Sequence, residues 1–363
     1  MKKILPSLLI LLTGSLDACD LCSAYTAGSL ANQPGAHGFQ VSLAEQFTHF
    51  GSLRLDGEEV DDPTGQYLDS SVTQLVIGQS FLDRRWSVQV NLPYIHREYK
   101  RPSGSSIEWG DESGLGDASL IGSWEILRHQ SREASPEREP QNGKTTVAPE
   151  APSPDFLVSL RLHAGIKFPT GDASRLQEEH AEGHHHGAPE PEEHHHHEHG
   201  EEHHHEHDHE HEPAPASGIH GHDLALGTGS YDVLFGAELS VRFDRFLFEA
   251  ETQFTLRGDG RYSYHYANDL SWHAALGYDL LDRNETTLAV SVATSGETKD
   301  TDRFQGRVAE DTGFTTVYFG PKLRVSHRQV SAEVGLELPV LLENTALQAM
   351  PEYRIRAAVS FQF

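Results

Sequence analysis

Residues 353–363 read YRIRAAVSFQF, and this stretch decides how the rest of the chain is read. Tyr353, Ile355, Ala357, Val359, Phe361 and Phe363 fall on one side of an extended chain, with Arg354, Arg356, Ser360 and Gln362 on the other. Successive side chains of a β-strand point to opposite faces, so this period of two predicts a strand that is apolar on one face and polar on the other. The pattern recurs upstream. Val330, Ala332, Val334, Leu336, Leu338 and Val340 oppose Ser331, Glu333, Gly335 and Glu337. Tyr231, Val233, Phe235, Ala237, Leu239, Val241 and Phe243 oppose Asp232, Glu238, Ser240 and Arg242, while Phe246, Phe248, Ala250 and Phe254 oppose Glu249, Glu251 and Gln253. Residues 156–168 alternate too, placing Arg161, His163 and Lys167 on the polar face.

A soluble sandwich also alternates, but these segments run 11 to 14 residues, long enough to cross a bilayer at a tilt and longer than most strands of soluble sheets. Aromatic residues mark strand ends, as a lipid-interface girdle requires. The final Phe363, preceded by apolar residues at every second position, resembles the C-terminal signal that outer-membrane barrels present to the barrel assembly machinery. Segments of this kind number about twelve, near 39–50, 68–81, 85–97, 115–128, 155–168, 230–243, 245–257, 265–279, 285–296, 313–326, 329–341 and 352–363. The predicted fold is therefore all-β: an antiparallel transmembrane β-barrel of about twelve strands with long disordered outer loops, in contact with outer-membrane lipid. A hydrophobic content of 37% is compatible with this, because an alternating barrel averages to an unremarkable composition.

The first residues fix the compartment. Lys2 and Lys3 precede an apolar run over 4–12, and Leu16-Asp17-Ala18 offers a small-residue cleavage site, so 1–18 reads as a signal peptide. A periplasmic segment over 19–38 follows, with Cys19 and Cys22 in a CxxC whose fate as disulfide, lipid anchor or metal contact the sequence leaves open. The barrel then occupies 39–363 in the outer membrane of a Gram-negative bacterium. At a formal charge of −27, no nucleic-acid partner is expected.

Two segments interrupt the strands. Residues 129–154 are rich in Pro, Glu and Ser and predict a disordered insertion. Residues 172–229 form a His/Glu-rich loop between the fifth and sixth strands, and between Gln177 and Asp223 it carries 17 of the 25 histidines without a Lys or Arg. These are His180, His184, His185, His186, His194, His195, His196, His197, His199, His203, His204, His205, His207, His209, His211, His220 and His222. Imidazole and carboxylate ligate first-row divalent metals, so the loop predicts capture of Zn, Ni or Cu without a fixed geometry. Protonation around the usual imidazole pKa of about 6.5 would release the metal near about pH 5. No resident cofactor is required. The polar faces supply candidate lumen residues: Arg161, His163, Lys167, Glu249, Glu251, His273, Glu333 and Glu337.

Asn91-Leu92-Pro93-Tyr94, Gly114-Leu115-Gly116-Asp117, Phe168-Pro169-Thr170-Gly171-Asp172 and Leu226-Gly227-Thr228-Gly229-Ser230 occur in this order at strand ends. Together they resemble the outer-membrane family named for the MetA pathway of phenol degradation, over roughly residues 70–295. The resemblance implies a transporter-like β-barrel, with no known catalytic residues to carry over. The histidine tract departs from that pattern, inserted between the third and fourth of these motifs.

The reading is of a non-enzymatic barrel that binds or transports divalent metal, its histidine loop capturing ions. The alternatives are a channel for small hydrophobic or aromatic compounds and a structural barrel whose loop only buffers metal.

Overall fold

In the computed structural model, which describes residues 38–82, 85–131, 156–180 and 216–363, twelve long antiparallel strands close into a barrel. They are β1 (Phe39–Leu55), β2 (Tyr67–Phe81), β3 (Trp86–Ser103), β4 (Ser119–Ser131), β5 (Phe156–Lys167) and β6 (Asp232–Phe243), followed by β7 (Phe246–Leu256), β8 (Asp269–Arg283), β9 (Thr286–Lys299), β10 (Phe314–His327), β11 (Val330–Asn344) and β12 (Leu347–Gln362). Each pairs with its neighbour in sequence, and β12 closes the cylinder against β1 with Gln40 opposite Gln362 and Leu55 opposite Leu347. At the foot of the seam the Phe363 amide donates to the Phe39 carbonyl, and Ser42 and Ser360 join hydroxyls at 2.9 Å.

The barrel turns a soluble protein inside out. Along β12, Arg354, Arg356 and Ser360 are buried, whereas Ile355 and Phe361 are each more than 40% exposed. Leu43, Val90, Leu162, Phe235, Val292, Phe319 and Val334 face outward in the same way. So continuous an apolar exterior is stable only against hydrocarbon. No described helix is long and apolar enough to cross a membrane. Trp86 and Trp124 stack on this outer surface at 5.3 Å, near the end where the chain turns from β2 to β3.

Two expectations need correction. The fourth strand was expected over 115–128, with the insertion starting at 129; β4 instead runs Ser119–Ser131, and His129, Gln130 and Ser131 pair with Val158, Leu157 and Phe156. The reason lies in the kink at Gly116-Asp117: Ser106–Leu115 pairs with the upper half of β3, and the chain then steps down so that β4 pairs with the lower half. Residues 132–155, most of the expected insertion, lie outside the described residues, as does the whole of 1–37 with its signal peptide and CxxC. The expected ranges 329–341 and 352–363 leave a long link between the last two strands, but β11 and β12 continue beyond the apolar band and leave only Thr345 and Ala346 between them.

The termini of the barrel and the turns at Asp244-Arg245, Asn284-Glu285 and Arg328-Gln329 share one end. The connections from β1 to β2, β3 to β4, β5 to β6, β7 to β8 and β9 to β10 crowd the other end, and the candidate site sits there.

Candidate functional site

Three of the short motifs meet at one carboxylate. Asp117, in the kink below β4, accepts hydrogen bonds from the Gly171 amide at 2.9 Å, the Thr228 amide at 2.9 Å and the Thr228 hydroxyl at 2.8 Å. Lys167, at the top of β5, reaches Asp117 at 3.3 Å and Asp232 at 2.6 Å. Thr170 completes the joint, donating to the Gly116 carbonyl and accepting from the Ala118 amide, both at 2.8 Å. Gly171 and Gly227 approach so closely that a Cβ on Gly171 would lie 2.5 Å from the Leu226 carbonyl oxygen, which explains a glycine there. The joint clasps residues 168–173 and 225–231 side by side, so the two roots of the histidine insertion are fixed together whatever lies between them.

Beyond the clasp both roots fold into the mouth. A 3₁₀ helix, Ser174–His180, buries Leu176 completely and is tied down by Arg175 to Glu112 and by Glu178 to Arg101 at 2.8 Å. The returning root forms a single helical turn, α1 (Gly221–Leu224), started by the Asp223 carboxylate accepting the His220 amide at 2.9 Å. Leu176 and Ala225 join Tyr264, Tyr266 and Phe304 in one apolar cluster, and Ile219 and Leu224 join Leu68 and Tyr99 in another. Gly218 hydrogen-bonds through its carbonyl to the Ala349 amide of β12 at 2.8 Å. These segments make a plug. The expectation that 172–229 is a flexible loop throughout is therefore corrected for 172–180 and 216–229: Leu176, Ile219, Leu224 and Ala225 supply the apolar surface that a purely polar tract lacks.

Under the plug lies a cavity of about 60 Å³, several times the roughly 10–15 Å³ that one water needs. Phe50, Leu68, Ile219, Phe314, Tyr318 and Met350 line it, with Arg97 and Glu297 at its polar side. Arg97 donates to the Ala225 carbonyl of the plug at 3.2 Å, and Glu297 pairs with Arg354, whose guanidinium covers the Tyr318 ring at 4.0 Å.

The predicted lumen residues fall on the inward faces. Arg161 pairs with Glu238 at 3.2 Å, His163 lies across Gly236, Glu249 receives Arg324 at 2.7 Å, and Glu251 stands opposite Glu238 on the neighbouring strand. Glu333 also meets Arg324, at 3.1 Å, while Glu337 meets Arg356 at 3.3 Å and Ser295 at 3.0 Å. His273 is 3% exposed. Lys167 belongs to the clasp.

Of the predicted metal ligands, His184, His185, His186, His194, His195, His196, His197, His199, His203, His204, His205, His207, His209 and His211 lie outside the described residues. His180 ends the 3₁₀ helix. His220 and His222 sit in the plug with their rings stacked at 5.6 Å, and the structure adds Asp311, from the 3₁₀ turn Glu310–Thr312, with its Oδ2 3.1 Å from His220 Nδ1. His222 is buried, its Nδ1 3.0 Å from Glu179 and its Nε2 3.4 Å from Asp223. Burial alone would lower the His222 pKa, but the carboxylates of Asp223 and Glu179 outweigh it and hold the imidazole well above its ordinary range. Glu179 moves the opposite way: His222 holds it down, to about 2, against the effect of its own burial. Sequence reasoning missed Glu179 and Asp311, since neither position differs from any other acidic residue of this acidic chain.

Known proteins resemble this architecture in fold alone. No family model matches the sequence, and no curated protein is similar to it. Among solved structures, an outer-membrane channel from Pseudomonas putida F1 matches with a TM-score of 0.51 at 12% identity, covering 91% of this chain and 99% of that one. The translocator domain of the autotransporter NalP from Neisseria meningitidis matches with a TM-score of 0.41 at 11% identity, covering 93% of this chain and 92% of that one. The CymD monoaromatic hydrocarbon channel matches with a TM-score of 0.35 at 9% identity, covering 93% of each chain. The closed barrel and its apolar exterior, with the fold shared with the Pseudomonas putida F1 channel, make the chain an outer-membrane β-barrel.

Proposed function

We propose that the chain is an outer-membrane channel for small, largely apolar solutes, single-ring aromatics included, which pass the plugged mouth into the lumen. The cavity beneath the plug carries this reading. Its wall of Phe50, Phe314, Tyr318 and Met350 suits an aromatic ring, and Arg97 and Glu297 can orient one polar substituent. The outer-membrane channel of Pseudomonas putida F1 shares the fold over nearly its whole length, which supports a channel without specifying its solute. Twelve strands fall between the roughly eight whose interior side chains fill and the roughly sixteen that leave an open aqueous pore. A narrow route guarded by a plug fits that size. By the usual orientation of such barrels, short turns toward the periplasm and long loops outward, the plug faces the medium.

Divalent-metal capture by residues 180–222 is a second proposal, supported by the composition of that stretch and by the pairing of His220 and His222 in the plug. Liposomes holding the purified barrel test the first reading. After subtraction of the rate in protein-free liposomes, uptake of phenol is expected to exceed that of a charged solute of equal size at least tenfold, and Tyr318→Asp together with Phe314→Asp to abolish this protein-dependent difference. Equal uptake of both solutes would sink it.

A further inference from the structure

We propose that His220, His222 and Asp311 bind one divalent first-row metal ion, and that this ion fastens the plug to the wall of the barrel. The three residues come from two separate parts of the mouth. His220 and His222 flank the start of α1 in the plug, whereas Asp311 stands in the β9–β10 connection. One ligand atom from each lies within 4.8 Å of the others. A tetrahedral zinc ion holds nitrogen and oxygen ligands at about 2.0–2.2 Å, which sets them roughly 3.4 Å apart, so closing the site takes a shift of about 1 Å. Asp311 sits on a single short turn that can supply it.

Three further observations point to a cation. His222 Nδ1 faces Glu179 at 3.0 Å, the carboxylate–imidazole arrangement that fixes the orientation of a metal-binding histidine, and its Nε2 lies 3.4 Å from Asp223. His220 Nδ1 is buried without an aligned hydrogen bond although Asp311 Oδ2 is only 3.1 Å away, a placement that an ion between them would satisfy. Glu179, Asp223 and Asp311 gather around two imidazoles, a charge balance that favours a dication. Three protein ligands leave a coordination position for water, so the ion exchanges rather than being locked in at folding.

The consequence is mechanical. The plug is otherwise held by the clasp at its roots, two apolar clusters, the Gly218 bond to β12 and the salt bridges of its 3₁₀ helix. A metal joining it to the β9–β10 connection adds a cross-link to a part of the barrel that the clasp at Asp117 does not include. Metal supply would then set how readily the mouth opens.

The remaining histidines of the same insertion bind metal by composition alone, so the test removes them. The full chain, with residues 181–215 replaced by a Gly/Ser segment of equal length and refolded in detergent, is titrated with Zn²⁺ by calorimetry while hydrogen exchange is followed with and without Zn²⁺. One ion per chain is expected, with exchange slowed at least tenfold in both 216–226 and 310–313. His220→Ala and Asp311→Asn should each weaken binding at least tenfold while leaving the heat-modifiable gel mobility of a folded barrel. No saturable binding, binding indifferent to both substitutions, or binding without protection of both segments overturns the proposal. Should the variants fail to fold, Co²⁺ added to the otherwise unsubstituted chain decides: the intense visible absorption of a tetrahedral site supports it, and the weak spectrum of the hydrated ion overturns it. Metal-free uptake of apolar solutes is a separate measurement, so the channel reading stands or falls independently.

Discussion

The wall beside β10–β12 and the plug in the mouth are both buried, and apolar contacts count for more in the plug than in the wall. At the wall, Arg354 is fully buried against Glu297, Tyr318 and Thr48, while Arg356 pairs with Glu337. In the plug, Leu176, Ile219, Leu224 and Ala225 supply apolar clusters beside the salt bridges of Arg175 and Glu178. The difference follows from what each region must do. The outer face of every strand belongs to lipid, so the polar alternate residues must point inward and satisfy one another across strands. A plug inside such a barrel can release without rupturing the strand ladder, so apolar contacts can share its docking with a few polar ties, the character of a locally opening unit.

The comparison breaks if damage to the wall and damage to the plug have the same effect. Arg354→Met, which withdraws a buried guanidinium from Glu297, is expected to cost about 3–5 kcal/mol of whole-barrel stability in urea refolding. A loss confined to the mouth would contradict the division. Leu224→Ala should cost about 2–5 kcal/mol, because a fully buried side chain leaves a cavity, but only in plug docking. Faster exchange over 216–226 and a higher open fraction in planar bilayers should appear while the urea midpoint of the barrel stays in place. Trp124→Ala, which removes the outer-face stack on Trp86, should lower barrel stability by about 0.5–1.5 kcal/mol beyond the lost area and leave the plug untouched. The smallest effect is expected for the Gly/Ser replacement of 181–215: a change within about 0.5 kcal/mol in barrel stability, because the clasp holds both roots. A large loss would mean that the clasp does not isolate the insertion.

Residues 353–363 show why so much of the barrel was legible. Period two in the sequence is a direct consequence of strand geometry, and a strand with lipid on one side cannot hide that period. Strand ends were less legible, as β4, β11 and β12 show, because pairing continues beyond the apolar band at either end, where neither face is required to be apolar. The motifs around Asp117, Gly171 and Thr228 could be found in the sequence, but their convergence on one carboxylate could not, since Asp117 and Thr228 are 111 residues apart. Asp311 and Glu179 carried no signal at all. The histidines between His184 and His211, conspicuous as they are, stay outside the described residues, whereas the quieter His220 and His222 stand where chemistry is possible.

The sequence by itself determined the architecture, the number of strands and which side chains face lipid, since the solvent on each face dictates the residue types along a strand. Only the tertiary structure decided that the roots of the histidine insertion plug the mouth, that an apolar cavity lies beneath them and that Asp311 stands beside His220. Those outcomes depend on contacts between segments far apart in the chain, which closure of the barrel brings together and no local pattern records.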